Sequence, residues 1–242
     1  MLLNLIMNFR GTVREIYWSN IWHDTIRGIP WLENMPSISP GRWAVGYNYL
    51  YVMTRILNDK NPKSVLELGL GASSTLISQY FNYIEKNMMD TQSPSQYNYL
   101  IAEHNDDWIN FYTLSHPLPS NCIIAKQNMI KKIYKGTQYN AYENLAKDIK
   151  GKKFSVISID APIGDRKYKY NRRDILELIP DVLEESFVIL IDDAQRRGEK
   201  NTIKNIKRIL QGKNIPYCTS IYSGETNCCV IASADNAFLC SL

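Results

Sequence analysis

The residues able to do chemistry fall into two groups, each lying where an apolar run stops. In the first, Glu67, Gly69 and Gly71 stand as acid, x, Gly, x, Gly at the end of the apolar stretch 65–68, and Ser73 and Ser74 follow at once. Paired glycines leave backbone without Cβ atoms, and a helix opening just beyond presents N–H groups with no partner inside the helix, so a small molecule can settle there. Glu103, with His104 behind it, closes the next apolar run. The second group is acidic: Asp160 ends one apolar run, Asp192 ends another, and Asp193 follows directly. Three carboxylates held together repel one another unless protons or a cation intervene, and an oxygen-only set suits Mg²⁺ or another hard divalent ion.

Each group also has a plainer reading. Ser73 and Ser74 are good helix N-caps, and Asp193 can cap a helix or pair with Arg196 or Arg197. Glu67 is harder to explain away, because an ionised carboxylate inside an apolar strand is costly unless partnered. His104 flanks Glu103, whereas His23 and His116 stand in less informative surroundings. The dense basic stretch 166–173, RKYKYNRR, sets Arg166, Lys167, Lys169, Arg172 and Arg173 around Tyr168 and Tyr170. It reads as a solvated loop or as a clamp for an anionic or sugar-bearing substrate, with tyrosines to stack on rings.

Positioning these residues takes alternating strands and helices. Strand patterns fall at 65–68, 97–104, 121–128, 154–162 and 186–194, followed by IPYCTSIYS and CCVIAS. Helical patterns fall at 73–81, 106–114, 141–149, 172–183 and 201–210. Short β-branched runs separated by helices predict a mostly parallel sheet covered on both faces. SGETN between the last two strands is too short for a crossover helix, so that pair is antiparallel. All the acids and glycines singled out then emerge at the carboxyl ends of strands, the edge at which open α/β sheets hold ligands.

The first 60 residues differ, carrying Trp18, Trp22, Trp31, Trp43, Tyr47, Tyr49 and Tyr51. They read as a mainly helical cap (1–60) on a nucleotide-binding domain (61–242), with helix at 45–57 and with Trp43 or Tyr47 as pocket residues. The chain has 242 residues, 45% of them hydrophobic, and a net charge of +4. That suffices for a full core and gives no extended basic stripe for nucleic acid. The apolar opening is too short to span a bilayer and lacks a basic lead-in or a cleavage site. Five cysteines without C-x-x-C spacing read as reduced core thiols, and the expected location is the cytoplasm.

With Ser74 where a dinucleotide fingerprint needs glycine, the acid-x-Gly-x-Gly turn and the acid closing the second strand resemble the class I S-adenosylmethionine-dependent methyltransferases. The resemblance covers roughly residues 62–234. It implies a Rossmann-like α/β sheet of seven strands, the last two forming an antiparallel hairpin, with helices on both faces. It implies S-adenosylmethionine as cofactor, with the turn against its methionine part and Glu103 on the ribose hydroxyls. The cofactor-binding set is then Glu67, Gly69, Gly71, Ser73, Ser74, Glu103, His104, Asn128 and Asp160. Asp160, Asp192 and Asp193 match the ion-holding acids of metal-dependent O-methyltransferases, which makes Asp160 and Asp193 catalytic and Mg²⁺ or another divalent cation a second cofactor. Without metal, Asp160 is the general-base candidate. The turn Asp160-Ala161-Pro162-Ile163-Gly164 and the later IDDAQRRGE look like bacterial methyltransferases of carbohydrate and polysaccharide biosynthesis. The implied partner is a carbohydrate or other hydroxylated small molecule. The D/N-P-P-Y/F tetrapeptide of nucleic-acid N-methyltransferases is absent, homo-oligomerisation stays open, and two alternatives remain: a binding protein without turnover and a nicotinamide-dependent oxidoreductase.

Overall fold

Strand residues that are apolar in both directions need cover on both faces, and the sheet supplies it. In the computed structural model, which describes residues 2–33, 35–38, 40–41, 44–88, 97–163 and 170–242 and side chains from residue 9 onward, helix α1 spans Leu2–Thr25 and α2 spans Tyr47–Arg55. The alternating part follows as β1 (Ser64–Leu68), α3 (Ala72–Met88), β2 (Asn98–Glu103), α4 (Asp106–Ser115) and β3 (Cys122–Lys126). After it come a small hairpin, β4 (Met129–Tyr134) and β5 (Thr137–Tyr142), a short α5 (Leu145–Asp148) and β6 (Phe154–Ile159). The chain ends with β7 (Leu183–Ile191), α6 (Arg197–Gly212), β8 (Tyr217–Ser223) and β9 (Asn227–Ser233).

Among the described residues the main sheet has seven strands in the order β3-β2-β1-β6-β7-β9-β8. The first five of that row pair in parallel, while β7–β9 and β9–β8 are antiparallel. This is the expected Rossmann-like sheet of seven strands with its terminal antiparallel hairpin. The strand order reverses between β1 and β6, which opens a crevice at their carboxyl ends.

Period-two alternation divides the core. Val65, Tyr99, Val156, Val188 and Val230 face a layer built by α2, α3 and the aromatic residues Trp22 and Trp31. Leu66, Leu68, Ile157, Ile159, Ile189 and Ile191 face the other layer, where α6 contributes Ile203, Ile206 and Leu210. The N-terminal segment therefore shares the sheet's own core. Trp18 donates its indole N–H to the Ser223 carbonyl at 2.9 Å and Trp22 donates to Thr54 Oγ1 at 3.0 Å, so two of its tryptophans are fixed by hydrogen bonds as well as packing.

Two expectations are corrected. The helix predicted at 141–149 shrinks to α5, because the preceding residues form the β4–β5 hairpin, turned by Lys135 (φ 49°) and Gly136 (φ 72°). Two left-handed residues make the tight turn whose twist suits a hairpin. The helix predicted at 172–183 is a single 3₁₀ turn, Asp174–Glu177, since Pro180 cannot donate to a helical ladder and β7 begins at Leu183. All five cysteines are free; Cys228 and Cys229 are buried, whereas Cys122, Cys218 and Cys240 are half-buried. Among the described residues no helix is long and apolar enough to cross a membrane.

Candidate functional site

Register brings the chemistry to one edge. Leu68 lies level with Ala102 and Ile159, so Gly69, Glu103 and Asp160 emerge side by side, and Asp192 follows across β6 through its N–H on the Ile159 carbonyl at 3.0 Å. Gly69 is required by its backbone, at φ 106°, and by its neighbour: a Cβ there would meet the Ala161 Cβ at 2.8 Å. Gly71 is different. It is half-buried, yet a Cβ built on it meets nothing within 4 Å, so open space lies above the turn.

Glu103 organises that turn. Its Oε2 accepts the Leu70 N–H at 3.1 Å, and its Oε1 accepts the N–H groups of His104 at 2.7 Å and Asn105 at 2.9 Å. His104 Nδ1 lies 2.9 Å from the same Oε1. Burial pushes the carboxyl upward, but the His104 ring and these N–H groups outweigh it and hold Glu103 below the ordinary carboxylate range. In return the hydrogen bond to Glu103 raises His104. Trp108 donates its indole N–H to the Leu70 carbonyl at 2.7 Å, so the peptide groups of Leu70 are gripped from both sides. Carboxylate oxygens accept two hydrogen bonds each, which leaves Oε2 with capacity for a hydroxyl.

Glu67, Ser73 and Ser74 support the turn from beneath instead of lining it. Glu67 is fully buried, accepting from Ser73 Oγ and Tyr99 Oη at 2.5 Å each. Burial drives its pKa up to about 7 against the pull of those hydroxyls. Ser74 is also fully buried, and from the third position of α3 its Oγ reaches back to accept the Gly71 N–H at 2.9 Å, so it braces the helix start without being the N-cap itself. Asn128 is exposed and donates to Glu143 at 3.0 Å, where the extra hairpin departs from β3. Tyr47 is half-buried against Trp22 and His23 at the start of α2. Trp43 and residues 166–169 of the basic stretch lie outside the described residues.

The three aspartates converge as expected, each offering an oxygen within 4.8 Å of the others. The cation among them is a guanidinium. Arg172 Nη2 reaches Asp160 Oδ1 and Asp193 Oδ2, both at 3.0 Å, and Nη1 donates to the Asp192 carbonyl at 2.9 Å. Arg172 Nε lies 3.8 Å from Glu199, and Arg196 adds a second cation to Asp193 at 2.7 Å. A resident divalent ion does not fit this donor set: N–H groups already occupy Asp160 and Asp193, and the ion would sit against a fixed positive charge. Nor does Asp193 fit a direct catalytic role, because it is 4% exposed and holds two arginines. Asp160 does reach the crevice, with 28% of its side chain exposed. Burial, countered by Arg172 and aided by the charge of Asp193, raises it to about 6. Burial, and then the charges of its two acidic neighbours, push Asp192 well above the ordinary carboxylate range.

Sequence reasoning placed Arg172 in a solvated loop or a substrate clamp and missed this role. Arg172 is 3% exposed, and its neighbour Arg173 lies over the Tyr134 ring at 3.4 Å while donating to Asn201 at 3.0 Å. No protein family matches the sequence, and neither does any curated protein. Among solved structures the chain is similar to the SAH-bound methyltransferase PaMTH1 of Podospora anserina, at 14% identity and a TM-score of 0.45 over 90% of this chain and 88% of that one. It is also similar to the fibrillarin pre-rRNA processing protein of Methanococcus jannaschii, at 14% identity and a TM-score of 0.47 over 86% of each chain. The N-methyltransferase NodS of Bradyrhizobium japonicum shares 10% identity at a TM-score of 0.43, over 76% of this chain and 92% of that one.

Proposed function

We propose that the chain is an S-adenosylmethionine-dependent methyltransferase that methylates a hydroxyl of a sugar, a polysaccharide precursor or another hydroxylated small molecule. The observation that carries this reading is the turn at residues 69–71: a glycine facing open space, beside a carboxylate locked in its ionised form by N–H groups and level with it on the sheet edge. Such a pocket suits a nucleoside whose ribose diol needs an ionised acceptor and whose tail needs bare backbone.

When bound, S-adenosylmethionine would supply an electrophilic methyl group, its S–C bond breaking to leave the neutral thioether as the acceptor's O–C bond is made. Glu103 holds and orients, as Leu70 does through its fixed peptide groups. Asp160, one strand over and partly open, takes the hydroxyl proton as the new O–C bond forms. A base with a pKa of about 6 is ionised near neutral pH and still close enough to neutrality to accept a proton efficiently. In this reading the first 60 residues form the cap, reaching the crevice through the turn after β8, where Asn48 Nδ2 donates to the Tyr222 and Thr226 carbonyls at 2.8 and 2.9 Å.

Calorimetric titration tests the proposal. S-adenosylmethionine and its demethylated product both bind the wild-type chain, Glu103→Ala abolishes binding, and Asp160→Asn keeps binding while lowering transfer to a sugar panel by about 10²- to 10⁴-fold. Absence of heat with either nucleoside, or a thermal shift with NAD instead, overturns it.

A further inference from the structure

We propose that Arg172 is the built-in counter-cation of the carboxylate cluster, standing where a divalent ion would otherwise gather Asp160, Asp192 and Asp193. The role assigned to Asp160 rests on the methyltransferase reading; the identity of the cation does not.

The geometry is that of a bound ion replaced by a planar fork. One nitrogen bridges two carboxylates from different strand ends at 3.0 Å each, and a second takes the main-chain oxygen between them at 2.9 Å. The third nitrogen faces Glu199, 2% exposed, and has no hydrogen-bond partner among the described residues. Gathering oxygens from β6 and β7 is what a divalent ion does for such acids. Guanidinium does it with directed N–H bonds and with no dehydration of a small ion.

The chain also secures the arginine. Asn171, buried and directly before it, accepts the Asn140 N–H at 2.8 Å and donates to the Ile163 carbonyl, so the backbone entering Arg172 is tied to the fold. Burying four acids around one pocket is expensive unless the opposing charge is equally fixed. Arg172 is therefore a positioning residue: it holds Asp160 at the rim and keeps metal out.

The test uses Mn²⁺ alone as probe, followed by paramagnetic resonance and calorimetry on the full chain. Wild type and Arg172→Lys show no saturable Mn²⁺ binding, whereas Arg172→Ala gains it, with affinity raised about tenfold or more. Arg172→Gln, which keeps most of the side chain's bulk, gives the same gain should the alanine variant fail to fold. A purely structural arginine would cost stability without creating a metal site, and lysine would not restore exclusion. Saturable Mn²⁺ binding by the wild type, or no gain in either neutral variant, overturns the proposal. S-adenosylmethionine is titrated into the same wild-type sample, so failure of that binding strikes the methyltransferase reading and leaves the Mn²⁺ result standing.

Discussion

At the scale of single residues, the two glycines of the turn look alike in sequence and differ in cause. Gly69 is demanded by the fold, through its φ of 106° and the Ala161 Cβ only 2.8 Å from where its own would be. Gly71 has nothing within 4 Å of where its Cβ would be, so the fold does not demand it, and the proposed nucleoside would use that space. Gly69→Ala is expected to destabilise by about 1–3 kcal/mol. Gly71→Val is expected to melt within a degree or two of wild type yet lose nucleoside binding, and paired melting and calorimetry on the two variants check it. Equal loss of stability in both would mean that Gly71 too is structural. Glu103, Gly69 and Asp160 were legible because each ends an apolar run, and strand ends share an edge in a parallel sheet. Arg172 was not, because its anions lie 12, 20, 21 and 27 positions away and its sequence neighbours are basic. Only the folded topology distinguishes it from the surface charges it was grouped with.

At the scale of elements, the parallel strands and the terminal hairpin announced themselves through apolar runs and a short link, whereas β4 and β5 did not. Their exposure alternates weakly, with the aliphatic residues of β4 split by Lys131 and Lys132 and β5 largely polar or aromatic, so period two was masked; the Lys135-Gly136 turn was the signal available. The attachment of α1 was equally hidden, since it depends on one carboxylate far along the sequence from its partners. Glu15 accepts the Tyr47 N–H at 2.6 Å, at the first turn of α2, and the Glu225 N–H at 3.2 Å in the turn between β8 and β9. An anion at a helix start satisfies a donor that has no partner inside the helix and favours the helix dipole. Glu15→Ala is therefore expected to cost about 1 kcal/mol, as loss of a helix cap does. Amide exchange should quicken at Tyr47 and Glu225 while the N–H groups of β1 and β6 keep their protection. Unchanged exchange at those two amides would show that the aromatic packing of Trp18 and Trp22 alone holds the helix.

At the scale of the whole molecule, the sheet keeps acids inside its core, and this sets how stability follows pH. Burial raises Glu67 to about 7, Asp160 to about 6 and Asp174 to about 6, above ordinary values of 4.5, 3.8 and 3.8. A group that holds its proton more tightly when folded contributes stability that is fully present below its unfolded pKa and is lost as pH rises through its folded one. All three act in the same direction, each worth about 1–3 kcal/mol at most across its window, and His104, raised by Glu103, joins them. Glu103 and Asp235 oppose, being held below the ordinary range, but their contribution fails only as pH falls below 4.5 and 3.8. The fold should therefore be most stable near about pH 5 and lose stability steadily toward about pH 8. Denaturant midpoints across that range check the slope. Glu67→Gln, which keeps the shape and removes the titration, should flatten it and raise the midpoint on the alkaline side. The fold thus gives up stability at the pH where Asp160 is ionised and able to take a proton. A profile that rises from pH 5 to pH 8 would mean that these acids are paired or hydrated in solution.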